Sequence, residues 1–313
     1  MSIPVVYVGA DVSKASIDFR FQDQSFQLPN TRSGFSKLQA RLLPLEGRVL
    51  PHVICEATGG YQNPLVDYLH EHSIAVSVIN PRQVRDFARS RGILEKTDLL
   101  DARVLAAYGA SNSPAPQNPR PPHMRRLAAL LGARDHFVAS RTEEKNRLQQ
   151  CEDSWLRSQI ERAIAFFDRE IKKIEAQLLA LRDSDPTLKA NADRLDQVAG
   201  LDWRGSLGIL GYLPELGSLN RRSVAKLAGL APLNHDSGQF RGQRHIAGGR
   251  AQVRRLLYLA SLSAIRYNRI FKDFYTKLRA AGKPGKVALT AVARKLLVLL
   301  NSALKNPNLS LAN

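Results

Sequence analysis

The residues with the most chemistry in them are four carboxylates. Asp98 and Asp101 lie three apart in EKTDLLDAR. On a helix that spacing sets both on one face, with Cβ atoms about 5–6 Å apart. Asp11 in YVGADVSK and Glu56 in HVICEATGG stand where apolar runs end, the places where strands stop. If Asp11, Glu56, Asp98 and Asp101 converge, their like charges repel, and a bound divalent cation is the usual relief. Hard oxygen ligands favour Mg2+ or Mn2+ over zinc. Two such ions about 4 Å apart are an apparatus for phosphodiester chemistry. The plainer alternative for Asp98 and Asp101 is a solvated helix face.

Positioning these acids needs strands for the first two and a helix for the last two. PVVYVG reads as a buried strand ending at Asp11, SIDFRF alternates as a second strand, and residues 25–29 form a third. Ser33 is expected to cap a helix to about Leu42, before Pro44 and Gly47 break the chain. VLPHVICEA is a fourth strand with Glu56 at its C-terminal end, followed by a helix from about Asn63 to His72 and the strand AVSVIN. Pro81 opens a helix to about Arg89, and the segment around Thr97 caps the helix carrying Asp98 and Asp101. This order, βββαβαβα, is the ribonuclease-H-like arrangement. A flavodoxin-like or Rossmann fold is the rival, but no Gly-rich phosphate loop follows the first strand.

Composition names the partner class. The 313 residues carry a net charge of +18, with a pI of about 10.3, which points to a polyanion. The charge is uneven: residues 185–313 hold 21 Lys and Arg against 7 Asp and Glu. No apolar run reaches 18 residues and the N-terminus lacks a basic region before an apolar one, so no membrane partner and no signal peptide are expected. Cys55 and Cys151 stand alone, which suits a reducing cytosol.

The later segments read as helices. SNSPAPQNPRPP, with five prolines, is a linker. From His123 to Arg182 only Gly132 interrupts a helical stretch. Within it Ile160, Ile164, Phe167, Ile171, Ile174, Leu178 and Leu181 step by four and three, an a/d seam expected to pair with a second copy. The alternative is an amphipathic helix packed on its own chain. RLDQVAGLDWRGSLGILGYL resembles a helix–Gly turn–helix that could offer backbone N–H groups to phosphate, although Asp202 stands where a second glycine would help. LNRRSVAKLAGLAP is a short basic helix, NHDSGQFRGQRHIAGG a polar loop, and two apolar helices with basic faces follow.

The motifs GADVSK, ICEATGGY, INPRQVRDFA and KTDLLDA, then LAGLAP, DSG, GGR, VRRLLYLA and ARKLL, together resemble the IS-one-ten family of insertion-sequence transposases, most closely its eleven-eleven subgroup. The Piv DNA invertases are similar. The resemblance covers nearly the whole chain. It implies an α/β RuvC-like domain over 1–112 with its Asp-Glu-Asp-Asp set on Asp11, Glu56, Asp98 and Asp101, and a Pro-rich linker over 113–122. It further implies a helical coiled-coil arm over 123–184 and a mainly α-helical C-terminal transposase domain over 185–313. The family's serine nucleophile falls on Ser237 in DSG. A structured noncoding guide RNA, target and donor DNA, Mg2+ or Mn2+, and a homo-oligomer (a dimer, or a tetramer in the active complex) are the implied partners. In that assembly a serine of one protomer meets the acids of another. A bacterial cytosol is the implied location.

The residues themselves agree in part. A serine hydroxyl needs a base or metal to act as a nucleophile. Arg241, Arg244, Arg250, Arg254 and Arg255 surround or follow the Ser237 loop and are candidates to clamp nucleic-acid phosphate. Ser-Gly alone is a common turn element. Asp236 is a candidate base or an Asx-turn residue, and His235 and His245 are candidate proton shuttles. Tyr258, Tyr267 and Tyr275 are rival nucleophiles whose helical periodicity favours packing. The expected activity is RNA-guided DNA recombination through a covalent phosphoserine. The rivals are a metal-dependent junction endonuclease without a covalent intermediate and a non-enzymatic basic scaffold.

Overall fold

The computed structural model describes residues 3–43, 49–93, 98–234, 236–237, 240–241, 244–309 and 311, giving backbone alone for 98–100, 236–237 and 240–241. Two compact units divide between Arg120 and Pro121.

The first unit is built on a five-stranded sheet. Strands β1 (Val5–Val12), β2 (Ser16–Phe21) and β3 (Gln24–Pro29) form an antiparallel meander, and β4 (Leu50–Glu56) and β5 (Ala75–Ile79) add parallel strands, in the order β3-β2-β1-β4-β5. Helices α1 (Arg32–Leu42) and α2 (Asn63–Glu71) supply Phe35, Leu38, Leu65 and Leu69 to one apolar layer with Val8, Ala10, Ile17 and Phe19. Helices α3 (Pro81–Ser90) and α4 (Asp98–Asn112) close the other face with Val84, Val104 and Leu105 against Ile54 and Ile79. This arrangement is compatible with the expected RuvC-like fold. Thr31, rather than Ser33, caps α1: its side chain accepts from the Gly34 N–H, and Ser33 lies inside the first turn. The cap of α4 at Thr97 falls outside the described residues.

The Pro-rich segment is tied to the sheet edge. Residues 113–121 take neither helix nor strand. The Gln117 N–H donates to Val76 O, Ser77 Oγ to Ala115 O at 2.8 Å, and Gln117 O meets the His70 ring. The segment therefore covers polar groups of β5 that a bare edge strand would leave open. Because Ser77 donates to Ala115, it accepts from His52 Nε2 at 2.8 Å, and burial pushes the pKa of His52 down.

The second unit is helical. Helices α5 (Pro122–Gln150) and α6 (Ser154–Ser184) form a long antiparallel hairpin, followed by α7 (Pro186–Asp196), α8 (Trp203–Tyr212), α9 (Arg221–Leu227), α10 (Ala251–Tyr267), α11 (Arg269–Ala280) and α12 (Gly285–Lys305). The seam expected to meet another copy closes within the chain instead. Ile160, Ile171, Leu178 and Leu181 are buried in the single chain, and α5 lies along α6, tied by Arg134–Glu175 at 2.8 Å and Arg141–Asp168 at 2.7 Å. The physical reason is the tight turn at residues 151–153, which folds α6 back before it can offer its apolar stripe elsewhere. Leu127, Leu131, Leu178 and Leu181 continue into the core formed by α7, α8, α10 and α12. By length and composition α12 would cross a membrane, but Val292, Leu296, Leu297 and Leu300 are fully buried in this core.

Candidate active site

In the first unit the sheet register sets the acids. Asp11 is the penultimate residue of β1 and Glu56 the last of β4. The two strands are parallel and Ala10 pairs with Cys55, so Asp11 and Glu56 come one step later, side by side on one face. Neighbouring strands lie about 4.8 Å apart. That face is the one beneath α4. A Cβ on Gly9 would lie 1.9 Å from Ala102 O, and one on Gly109 2.6 Å from Tyr7 Cδ1. Helix numbers rise as strand numbers fall, so α4 runs antiparallel to β1. Two residues along a strand cover about 6.6 Å and four along a helix about 6 Å. Asp11 is two residues beyond Gly9, which brings it level with the first turn of α4, where Asp98 and Asp101 reside. Asp101 is half-buried.

Sequence reasoning missed Asp18. It is the direct cross-strand partner of Asp11, so it shares the α4 face, and it is only 7% exposed. Both of its oxygens accept from Gln27 Nε2 at 3.1 Å, and Gln27 is its partner on β3. The signal was available: in SIDFRF the polar Asp18 sits between Ile17 and Phe19, which face the other layer. Alternation alone does not show that α4 covers this position.

An all-carboxylate oxygen set of this kind suits a hard divalent cation. Among the described residues no three His, Cys, Asp or Glu are grouped closely enough to hold one, and the Asp98 side chain lies outside those residues. The neighbouring Cys55 is no nucleophile: burial, then the Glu56 charge, push its thiol up to about 12.

In the second unit the DSG segment is carried on a loop with short paired ends. Strand β6 (Pro232–Leu233) pairs with β9 (His245–Ile246), and further out β7 (Asp236–Ser237) pairs with β8 (Phe240–Arg241). Ser237 is opposite Phe240, so it sits at the last pair before the connection. The loop is closed at its base by glycine. Gly249 has φ +67° and a Cβ there would lie 2.1 Å from Gly229 N. The Arg250 N–H donates to Leu227 O. His235 lies outside the described residues, and His245 is exposed.

Family comparisons link both regions. A family model for DEDD transposases of the IS110 type, described as "Transposase", matches residues 8–154. A second, described as "Transposase IS116/IS110/IS902 family", matches residues 192–276. The chain belongs to the IS110 family of transposases. It is also 28% identical over 303 residues to the pilin gene-inverting proteins of Moraxella lacunata and Moraxella bovis, covering 94% of this chain and 94% of each relative. As an IS110-family transposase it is an enzyme of DNA recombination, and DNA is its substrate.

The first match spans Asp11, Glu56, Asp98 and Asp101, and the second spans Ser237 and the five arginines. In this transposase the arginines are not equivalent. Arg250 grips Glu215 through two bonds of 2.6 Å and donates to Tyr212 O at 3.0 Å. Arg255 pairs with Asp135 at 2.8 Å, and Asp135 accepts from the Tyr212 hydroxyl. Arg254 donates to Gly248 O at 2.6 Å, and Arg244 is exposed. Only the backbone of Arg241 is described. Arg250 therefore holds the loop base to the end of α8, and Glu215 is a partner that sequence gave no reason to choose. At the helix–Gly turn–helix, Asp202 caps α8 by accepting from Gly205 N–H at 2.9 Å, which puts a carboxylate where a phosphate would have to approach. Tyr275 packs on the helical core, whereas Tyr267 is 75% exposed.

Proposed function

We propose that this transposase exchanges DNA strands through a covalent phosphoserine at Ser237, with Asp11, Glu56, Asp98 and Asp101 holding Mg2+ or Mn2+, and with target choice set by a structured guide RNA. The observation that carries the reading is the sheet register that aligns Asp11 with Glu56 beneath the acid-bearing first turn of α4. The bound cation would neutralise charge on the scissile phosphate and on the departing oxygen. Ser237 Oγ bonds to phosphorus as the P–O bond to the leaving sugar breaks. The seryl proton goes to a neighbouring base, and the leaving oxygen takes a proton from water. The phosphodiester energy is retained in the serine ester, so a second strand can reverse the step without hydrolysis. Arg244, exposed near the loop base, contributes to holding the phosphate. The protomers act as an oligomer, with Ser237 of one working on DNA held at the acids of another.

Target choice then needs no base-reading helix, since pairing with the guide reads sequence and the basic second unit reads backbone. The deciding experiment incubates the RNA-bound protein with labelled target DNA, denatures it and maps the adduct. An adduct on Ser237 that is lost in Ser237→Ala, with DNA binding retained, is the expected result. Cleaved DNA with no protein adduct would mean a hydrolytic nuclease. Changing the guide's pairing loops should move the cut site, and an unmoved site would remove RNA from the mechanism.

A further inference from the structure

A second feature of the helical unit lies at the root of the Ser237 loop. A cleft of about 500 Å³ opens there, lined by Leu230, Ile246, Arg254, Arg255, Tyr258 and Lys286 among others. Ile246 belongs to β9, so one wall of the cleft is the returning strand of the loop itself. The volume lies within the roughly 300–1,000 Å³ of small-ligand clefts. Its chemistry is divided. Aliphatic side chains and a half-buried tyrosine ring offer a flat apolar surface, while Arg254 and Lys286 offer cations, and among the described residues of the lining there is no carboxylate. Arg255 is partly satisfied by Asp135. Arg254 spends one guanidinium nitrogen on Gly248 O, which aims the group without cancelling its charge.

We propose that this cleft receives one nucleotide of a DNA strand, unstacked from its neighbours, with the base on Tyr258 and Ile246 and the phosphate toward Arg254 and Lys286. Aromatic stacking combined with cations along the backbone is how proteins hold single-stranded nucleic acid, and bases taken out of a stack are held in apolar slots. A free nucleoside monophosphate presents the same base and phosphate. A strand is favoured because residues 185–313 carry 21 basic against 7 acidic residues, a field that attracts a polyanion more than one isolated phosphate. The consequence is positional. A nucleotide anchored at the loop root fixes the register of the strand relative to Ser237. The proposal rests on the recombinase reading and adds where the strand is gripped.

The test uses full-length protein and a single-stranded DNA oligonucleotide with one 5-iodouracil, irradiated, digested and mapped, alongside affinity measurements. The expected crosslink is in the α10 peptide at Tyr258. Tyr258→Phe, which keeps the ring, retains both crosslink and affinity. Tyr258→Ala loses the crosslink and weakens binding roughly ten-fold, as expected for one stacked base. Lys286→Ala weakens binding and lowers the salt slope by about one. DNA binding at wild-type affinity by Tyr258→Ala, or a crosslink mapping elsewhere in Tyr258→Phe, overturns the cleft and leaves the recombinase reading standing. Failure of the wild type to bind any DNA overturns that reading as well. Free 5-iodo-deoxyuridine monophosphate crosslinking as well as the oligonucleotide, or an RNA oligonucleotide crosslinking in place of DNA, overturns the assignment to a DNA strand.

Discussion

The acid face of the sheet and the Ser237 loop are positioned by opposite means. Asp11 and Glu56 sit at the ends of strands of eight and seven residues, each locked by neighbours on both sides. A shift of one residue would turn both acids to the other face, so the whole apolar layer opposes it. The Ser237 loop has strand pairs two residues long, which cannot fix anything by ladder alone. It is held at its root, by the Gly229–Gly249 approach and by Arg250 on Glu215. The lesson is a division of labour. The like-charged Asp11 and Glu56 are built into a continuous sheet, and Ser237 hangs from a clasp at its loop root.

The largest expected effect separates chemistry from stability. Asp11→Asn, Glu56→Gln or Asp101→Asn should each lower strand exchange by roughly a thousand-fold or more, as loss of several kcal/mol of charge stabilisation demands. The melting temperature should hold or rise, because repulsion is relieved. A fall of ten degrees in these variants would mean the acids are structural, and the contrast with the loop would collapse. Chelation of divalent metal should reproduce the loss, read in the same strand-exchange assay.

Next comes the hairpin. Ile171→Asp puts a charge into the α5–α6 contact, at a cost of about 3–5 kcal/mol. Because Ile171 is buried within one chain, the helical signal should melt earlier even at high dilution. A variant that only changes sedimentation, with unaltered melting, would restore the seam to an interface between copies.

Two glycines then sharpen the comparison directly. Gly9→Ala drives a Cβ into the α4 backbone, and Gly249→Ala drives one into Gly229 at a positive φ. Each should cost about 1–3 kcal/mol. Thermal melting of the sheet unit should register the first and not the second, while strand exchange should suffer in both. Equal melting shifts from Gly9→Ala and Gly249→Ala would show that the loop root is as integral to stability as the sheet.

Smaller still is the Arg250 clamp. Arg250→Lys keeps charge but loses the two-pronged bond, and about 1 kcal/mol is expected after allowing for partial exposure. The discriminating readout is turnover: a clamp that orients the loop lowers kcat with little change in DNA affinity, whereas a phosphate ligand raises Kd.

Least of all is the acid limb of stability. Hydrogen bonds from Arg204, then from Arg134, hold Glu175 below its ordinary value of 4.5 against an opposing effect of burial. A depressed carboxylate adds stability above its unfolded value and loses it as pH falls through the folded one. Melting measured from pH 6 to pH 3 should therefore fall below pH about 4.5, and Glu175→Gln should flatten that fall slightly. An identical acid limb in wild type and variant would remove this ion-pair network from the account.

Much of the sheet was legible because period-two burial and strand ends are local properties. The runs before Asp11 and Glu56 announced two buried strands, and Asp98 with Asp101 announced a helix face. The cap at Thr31 was misassigned to Ser33 because both are hydroxyl residues within two positions, and only backbone φ decides which stands outside the helix. Asp18 was passed over because alternation cannot know that α4 covers the sheet's second face. The segment after Asn112 was read as a linker from its prolines, yet proline leaves carbonyls free to accept, and Ala115 and Gln117 use theirs on Ser77 and His70.

Sequence by itself determined which residues carry charge, which runs are apolar, and that a strongly basic C-terminal part follows a first part holding most of the acids. Those are properties of residue type and spacing, fixed before any folding. Tertiary structure alone decided who meets whom. The seam of α6 has the same heptad pattern whether it meets α5 or another copy, and only the tight turn at residues 151–153 selects α5. Arg250 has the same charge whether it holds a phosphate or Glu215, and only the path of the chain from α8 brings Glu215 within 2.6 Å. Pattern sets the surface an element must bury; the route of the backbone sets the partner that buries it.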